Sequence, residues 1–320
     1  MANKSSMDVN ARIYIAGHRG LVGSAIVRKL QSAGATQLIL RTHQQLDLTE
    51  QAAVESFFEN QRPEYIFIAA ARVGGIHANS TYPAEFIRDN LAIQTNIIHG
   101  AWKYGARKLL FLGSSCIYPR DCPQPIKEEY LLTAPLERTN EWYAIAKIAG
   151  LKMCQAYRRQ YGFDAICAMP TNVYGPGDSF HPENSHVVPG LIRRIHEAKL
   201  AKRAQVSIWG SGKPQREFLH VDDLADALVF LMRTYSDDNI VNVGSGQELS
   251  IAELARTIAG IVGFRGKLVF DTSKPDGTPR KRLATSRLDA LGWAARIPLV
   301  QGIADTYAAF LAQQDQSVKA

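Results

Sequence analysis

The sequence predicts an α/β fold: a doubly wound parallel sheet with a smaller C-terminal lobe. Three observations carry this expectation. Short apolar runs alternate with segments of helical periodicity through the first half of the chain. The runs are apolar at every residue rather than at alternate ones, the mark of strands covered on both faces, as parallel sheets require. The first run ends in glycines that open directly into a helical segment.

Residues 1–11 are polar, lack the apolar stretch of a signal peptide, and are predicted to be a flexible tail. Ile13–Ala16 is the first strand and Leu21–Ala33 the first helix. Leu38–Leu40 is the next strand, and Glu50–Asn60 the next helix, with Thr49 expected as its N-cap. Tyr65–Ala69, Lys108–Leu112 and Asp164–Ala168 read as further strands, separated by long helices over Ala84–Tyr104 and Glu141–Tyr161. Residues 12–170 therefore form one nucleotide-binding domain. Beyond Pro170 the loops lengthen and gather Pro, Gly, Asn and His, at Pro170–Pro189, Gly210–Arg216 and Asp271–Arg282. Helices are expected near Val187–Lys199, Val221–Arg233 and Ile251–Val262. Residues 171–320 are assigned mainly to a substrate-binding lobe over the C-terminal edge of the sheet, where such folds bind ligands, with about 215–245 returning to the first domain.

Composition narrows the function classes. Of 320 residues, 46% are hydrophobic and 21% charged, enough for a core and too apolar for bulk disorder. The balance of 37 basic against 30 acidic residues, 37 − 30 = +7, suits an anionic ligand. The basic residues are dispersed and not interleaved with aromatics, which argues against nucleic acid. Cys116, Cys122, Cys154 and Cys167 form neither a C-x-x-C pair nor a zinc spacing, so no metal is expected, and a reducing, cytoplasmic setting is. No apolar run approaches the about 18 residues of a membrane span.

The turn Gly17-His18-Arg19-Gly20-Leu21-Val22-Gly23 follows the first strand and opens the first helix. Glycines there let backbone N–H groups approach a pyrophosphate at the helix N-terminus, a Rossmann-type dinucleotide site. An NAD site places a carboxylate at the end of the second strand. Here that strand runs into Arg41-Thr42-His43, and Arg19 adds a second cation. Guanidinium donors match a 2′-phosphate, so NADP(H) is the expected cofactor, the alternative being two solvated surface arginines.

Tyr143 and Lys147 lie four residues apart, on one face of the helix that begins beside them. The ammonium is expected to lower the phenol toward working pH, where tyrosine exchanges a proton with a carbonyl oxygen as hydride moves. The equally spaced Tyr104 and Lys108 run across Gly105 into a strand and need not share a face. Gly113-Ser114-Ser115 ends the fourth strand, where a hydroxyl can reach a substrate carbonyl beside Tyr143.

In order and wording these pieces resemble the extended short-chain dehydrogenase/reductase superfamily. More narrowly, G-H-R-G-L-V-G-S-A-I, L-G-S-S-C-I-Y-P, Y-A-I-A-K-I-A-G, P-T-N-V-Y-G-P, W-G-S-G-K-P-Q-R-E-F-L-H-V-D-D and K-P-D-G-T-P-R-K resemble the GDP-L-fucose synthase family, over about Arg12 to Phe310. The resemblance implies a bifunctional NADPH-dependent epimerase/reductase acting on GDP-4-keto-6-deoxy-D-mannose, and a homodimer built on the two long helices. It implies that Ser114, Tyr143 and Lys147 are the reductive trio and that Cys116 and His186 exchange protons during epimerisation. Leu112, Gly113, Ser115, Lys147, His186 and the stretch Pro170-Thr171-Asn172-Val173 are implied to line the cofactor, and Arg194, Trp209, Arg216 and Asp276 the substrate. Departures are Val173 for Leu, Arg72 for Lys, His43 for Arg and Ala284 for a carboxylate.

The chemistry agrees. A C4 ketone acidifies the C–H bonds at C3 and C5, and inversion needs one group to remove a proton and another to return one on the opposite face. A thiol and an imidazole ionise close enough to neutrality for both tasks. The ordinary alternatives are packing for Cys116, and a helix cap or core hydrogen bond for His186. Trp209 either stacks a base or packs a core; Arg194 and Arg216 either clamp a diphosphate or sit in water; Asp276 either holds ribose hydroxyls or fixes a turn. The other cysteines are read as structural. A GDP-colitose-type relative is the same-class alternative, and a non-catalytic NADP-binding protein, which the intact Tyr143 and Lys147 argue against, the different-class one.

Overall fold

The structure is a computed structural model that describes residues 7–182, 185–274 and 276–319. Its first half alternates β1 (Ile13–Ala16), α1 (Leu21–Ser32), β2 (Leu38–Ile39), α2 (Gln51–Gln61), β3 (Tyr65–Ile68), α3 (Ile76–Thr81), α4 (Pro83–Lys103), β4 (Lys108–Leu112), α5 (Glu141–Tyr161) and β5 (Asp164–Pro170). The second half contributes β6 (Asn172–Tyr174), α6 (Val187–Leu200), β7 (Gln205–Trp209), β8 (Gln215–His220), α7 (Val221–Thr234), β9 (Val241–Val243), β10 (Glu248–Ser250), α8 (Ile251–Val262), β11 (Lys267–Asp271), β12 (Arg280–Lys281), α9 (Ser286–Ala290) and α10 (Leu299–Lys319).

The central sheet is parallel and six-stranded, in the order β2-β1-β3-β4-β5-β9. Apart from Lys108, Asp164 and Asn242 its strands are built almost wholly of apolar residues, because each alternate side chain enters a different core. Ile13, Ile15, Tyr65, Phe67, Leu110 and Leu112 pack with Ile26 and Leu30 of α1 and Leu228 of α7. Their neighbours Tyr14, Ala16, Ile66, Ile68, Leu109 and Phe111 pack on the other face with Phe58 of α2, Ile97 of α4 and Leu151 of α5. β2 and β3 flank β1, so the chain reverses its direction of winding there and opens a crevice at the strands' C-terminal ends. The early elements return late: α7 packs on α1, and β9 joins the sheet beside β5.

The second assembly centres on β8, which pairs antiparallel with β10 and parallel with β6 and β12. A parallel β7–β11 ladder stands beside it. A third core joins α6, α8 and α10. Strands β6 and β12 lie inside stretches read from sequence as loops: each is three residues or fewer, too short for periodicity to reveal, and each exists through pairing with β8.

Two local expectations are corrected. Thr49 does not cap α2: Glu50 occupies that position, and Thr49 donates from its amide and its hydroxyl to Asp47 Oδ1, at 2.9 and 2.7 Å. The carboxylate two residues upstream captures the hydroxyl before the helix can. Leu40 falls outside β2, whose pairing with β1 stops at Ile39.

The α4–α5 contact depends on a missing side chain. A Cβ on Gly150 would stand 2.6 Å from both Gln94 Oε1 and Phe111 Cζ. Gln94 is itself held by a 2.6 Å bond from its amide to the Ala146 carbonyl. Gly150→Ala gains about 1 kcal/mol of helix propensity but overpacks a site that cannot yield, at about 1–3 kcal/mol. We expect a net loss of stability in urea denaturation; a rise in the midpoint would show that the two helices can separate freely.

Candidate active site

Helix α1 begins with its donors free. Gly20 is its N-cap and offers no side-chain hydrogen bond, and the first turn holds no acidic residue. Its leading N–H groups and positive dipole end therefore remain available to an anion. Gly17 is left-handed, with φ of 83°, and a Cβ there would lie 2.7 Å from Ala70 N. A Cβ on Gly23 would overlap the Gly17 carbonyl. These two contacts press the turn against β3 and seat α1 at the crevice.

A cleft of about 460 Å³ opens there, lined by Gly17, His18, Arg19, Gly20, Arg41 and His43. Arg41 stays on the cleft wall, its guanidinium donating to the Leu40 carbonyl at 2.9 Å and to Gln61 Oε1 at 3.2 Å. Burial and the Arg19 charge hold the His18 imidazole below its usual range. Its buried Nδ1 meets no partner among the described residues. Free helix donors, two guanidiniums and the absence of a carboxylate fit a dinucleotide carrying a 2′-phosphate.

At the end of β4 a Cβ on Gly113 would overlap the Met169 sulfur, so the chain passes there without a side chain. Ser114 Oγ then accepts from the Cys116 amide at 3.3 Å and caps a single 3-10 turn, Ser115–Ile117. Ser115 is buried within that turn. Tyr143, in the first turn of α5, shares a hydrogen bond with the Ser114 hydroxyl. One turn on, Lys147 Nζ donates to the Leu112 carbonyl at 2.9 Å and lies 5.8 Å from the Tyr143 ring centre. Ser114, Cys116, Tyr143 and Lys147 thus meet where β4 ends. The matched spacing of Tyr104 and Lys108 comes to nothing: Tyr104 ends α4, and Lys108 is buried in β4 with its ammonium on the Leu231 and Tyr235 carbonyls.

The electrostatics correct one expectation. The Tyr143 phenol is pushed above its ordinary value, not below it, by burial and by the neighbouring Cys116, and the Ser114 hydrogen bond offsets only part of this. Burial also draws the Lys147 ammonium down to about 8. Lys147 is buried and Tyr143 half-buried, and the desolvation of the two outweighs their attraction.

Cys116 has two neighbours that sequence reasoning did not single out. Its half-buried Sγ receives Asn140 Nδ2 at 3.2 Å and Lys281 Nζ at 3.6 Å. Lys281 ends the K-P-D-G-T-P-R-K block, so its signal was present; Asn140, just before α5, carried none. A cavity of about 50 Å³ adjoins the thiol, lined among others by Ser115, Tyr118, Asn140 and Lys281. His186 stands exposed at the N-cap position of α6 without capping it. No hydrogen bond joins it to the quartet among the described residues. Burial raises the carboxyl of nearby Asp178 to about 6.

In the lobe, Trp209 is 55% exposed and is therefore no core residue. The Arg194 guanidinium lies 4.7 Å over its ring and Lys274 Nζ 5.8 Å from its centre. The Asp276 carboxylate accepts from the Ser211 amide at 2.6 Å and the Ser211 hydroxyl at 2.7 Å, so it fixes a turn. Arg216, close enough to feel that carboxylate, donates to the Gln215 carbonyl at 2.8 Å. Thr171 Oγ1 and Asn172 Nδ2 both donate to the Glu217 carbonyl, at 3.3 and 2.8 Å, which ties the stretch after Pro170 to β8.

The buried ammonium sets a stability test. Unfolded lysine titrates near 10.5 and Lys147 near 8. Between these values the unfolded chain holds the extra proton, so stability rises with pH across that window and the cost of burying the ammonium is fully present below it. That cost is about 3 kcal/mol. Lys147→Met removes it but leaves the Leu112 carbonyl without its donor, a loss of about 1 kcal/mol. The variant should be more stable by about 2 kcal/mol at pH 7 and lose that advantage toward pH 10. A gap that does not change with pH would contradict the burial argument.

Residues 13–244 match the model of the NAD dependent epimerase/dehydratase family. The chain is 63% identical over 303 residues to GDP-L-fucose synthase 1 of Arabidopsis thaliana, covering 95% of this chain and 94% of that one. It is 37% identical over 306 residues to GDP-L-colitose synthase of Yersinia pseudotuberculosis, covering 95% and 99%. The GDP-L-fucose synthetase from Naegleria fowleri bound to NADP superposes with a TM-score of 0.89 at 28% identity, covering 97% of both chains. A family model reaching from β1 to β9 and identity sustained over nearly the full length lead to one conclusion: the chain belongs to the NAD dependent epimerase/dehydratase family, among the GDP-L-fucose synthases.

Proposed function

We propose that the protein converts GDP-4-keto-6-deoxy-D-mannose to GDP-L-fucose, inverting C3 and C5 and then reducing the C4 ketone with NADPH. The observation that carries this reading is the meeting of two sets of groups on one floor: Ser114, Tyr143 and Lys147 for reduction, and the Cys116 thiol with two donors on its sulfur. The cofactor would supply the hydride. The Gly17–Gly23 turn and the α1 donors would hold its diphosphate, Arg19 and Arg41 its 2′-phosphate, and Leu112, Gly113, Ser115 and the 170–173 stretch its nicotinamide side. Arg194 and Arg216 suit the substrate diphosphate and Trp209 its base, while Asp276 holds the Ser211 turn beside them.

In the epimerisations Cys116 and His186 remove and return protons on opposite faces of the sugar, and the C4 oxygen carries the enolate charge. Ser114 and Tyr143 donate to that oxygen. In the reduction Tyr143 gives its proton to the same oxygen. A phenol kept protonated by burial is the correct acid for this direction, and Lys147 and Ser114 stabilise the phenolate left behind. A colitose-type reaction uses the same groups; the higher identity to the fucose synthase favours the fucose reading. Four free cysteines agree with a cytoplasmic setting.

We also infer a homodimer through α4 and α5. Trp142 and Ile145, three apart on one face of α5, are 43% and 37% exposed. Light scattering at micromolar concentration should give twice the chain mass; a monomer would remove the inference.

The two half-reactions should fail separately. Tyr143→Phe should block NADPH oxidation yet still admit deuterium from D₂O at C3 and C5, more slowly because the phenol supports the enolate. Cys116→Ala should abolish exchange at one of the two carbons at least and leave NADPH binding intact. NMR of the sugar reads both. A Cys116→Ala enzyme that exchanges at both carbons at the wild-type rate would return Cys116 to packing.

A further inference from the structure

Glu217 is the least expected charge in the fold. It lies on β8 with no exposed surface. Burial pushes its carboxyl above the usual range. Among the described residues no ion pair reaches it within 4.0 Å; the Arg282 charge acts only from further away. A carboxylate this deep costs several kcal/mol unless its oxygens are well satisfied.

Both oxygens are satisfied by backbone amides, and the Thr171 hydroxyl adds a side-chain hydrogen bond. Oε2 accepts from the Leu283 amide at 2.9 Å and Oε1 from the Gly246 amide at 2.8 Å. A Cβ on Gly244 would overlap Oε1, so the turn after β9 is shaped around this carboxylate. Leu283 is two residues beyond Lys281, whose ammonium stands 3.6 Å from Cys116 Sγ. Strand β12 holds to β8 by only two register pairs, Arg280 to Gln215 and Lys281 to Arg216. Beyond β12 the Arg282 carbonyl accepts from the Ile126 amide at 2.7 Å and the Arg282 amide donates to Gln124 Oε1 at 2.9 Å; the carboxylate adds the anchor at Leu283. Nothing in the reductive trio touches Glu217.

We propose that Glu217 is a positioning residue for proton transfer at Cys116: its carboxylate pins the 281–283 segment so that the Lys281 ammonium stands against the sulfur. The proposal rests on the reading of Cys116 as a proton-transfer group. In Glu217→Gln an amide NH₂ replaces one acceptor oxygen. Whichever way it turns, it faces either the Leu283 or the Gly246 N–H, and one of the two hydrogen bonds is lost.

The test is the rate at which iodoacetamide alkylates Cys116, located by peptide mass spectrometry, alongside deuterium exchange at C3 and C5 and the Kd for NADPH. Lys281→Met should slow alkylation severalfold, because it removes the cation that stands 3.6 Å from the reacting sulfur. Glu217→Gln should slow it in the same direction, with NADPH affinity unchanged, and should slow deuterium exchange only at the carbon that Cys116→Ala silences. In the Lys281→Met background Glu217→Gln should add nothing further, because it acts through that ammonium. Wild-type alkylation in Glu217→Gln, an additive effect in the double variant, or slowing at a carbon whose exchange Cys116→Ala leaves intact would overturn the proposal. If Glu217→Gln does not fold, Glu217→Asp decides: it keeps the charge but falls one methylene short, and should alkylate at a rate between wild type and Lys281→Met, a wild-type rate counting against the idea. If Cys116→Ala still exchanges at both carbons, the catalytic reading of Cys116 fails, while the alkylation cycle continues to judge Glu217.

Discussion

The hydrogen bond from Lys147 to the Leu112 carbonyl is the joint on which the site turns. It fastens the first turns of α5 to the end of β4. Because an ammonium this deep is costly, it must be held by a carbonyl of fixed position, and the end of a central strand is the most rigid place available. Once it is held, Tyr143 one turn earlier is delivered to Ser114, and the 3-10 turn that follows brings Cys116 to the same floor. The protein sustains a destabilising charge for the sake of that geometry, the common trade at catalytic sites.

The rest of the structure protects this joint. The sheet's two cores lock β4 from both sides, and small residues on α5 let α4 press close. The second assembly approaches from the open end. Its strand β8 holds the 171–172 stretch through the Glu217 carbonyl and the 283 segment through the Glu217 carboxylate. One residue thus stands between the cofactor side and the thiol side of the site. The two groups proposed for proton transfer come from different assemblies: Cys116 from the sheet, His186 from the head of α6.

Electrostatics favour the reductive direction. Desolvation outweighs the mutual attraction of Tyr143 and Lys147, keeping the phenol as an acid while leaving the ammonium charged at neutral pH, though only by a narrow margin. At the other end of the cofactor cleft the charges are exposed or partly so, and the positive groups are plentiful. Binding a polyanion there needs little rearrangement, whereas the catalytic floor is built from groups with few alternatives.

What the sequence by itself determined were the features with local causes. Runs apolar at every residue announced the buried strands. Glycines between a strand and a helix announced the phosphate turn. Tyr143 and Lys147 share a face because helix geometry places i and i+4 together whatever surrounds them. The tertiary structure decided whatever depends on chain segments meeting. Asn140 and Lys281 reach Cys116 from 24 and 165 residues away, and Glu217 meets Leu283 across 66, distances at which no periodicity carries information. The short strands β6 and β12 exist only as partners of β8. The direction of the Tyr143 shift was equally hidden, since spacing shows that an ammonium is near but only packing determines how much water is lost, and for this pair the loss of water is the larger effect.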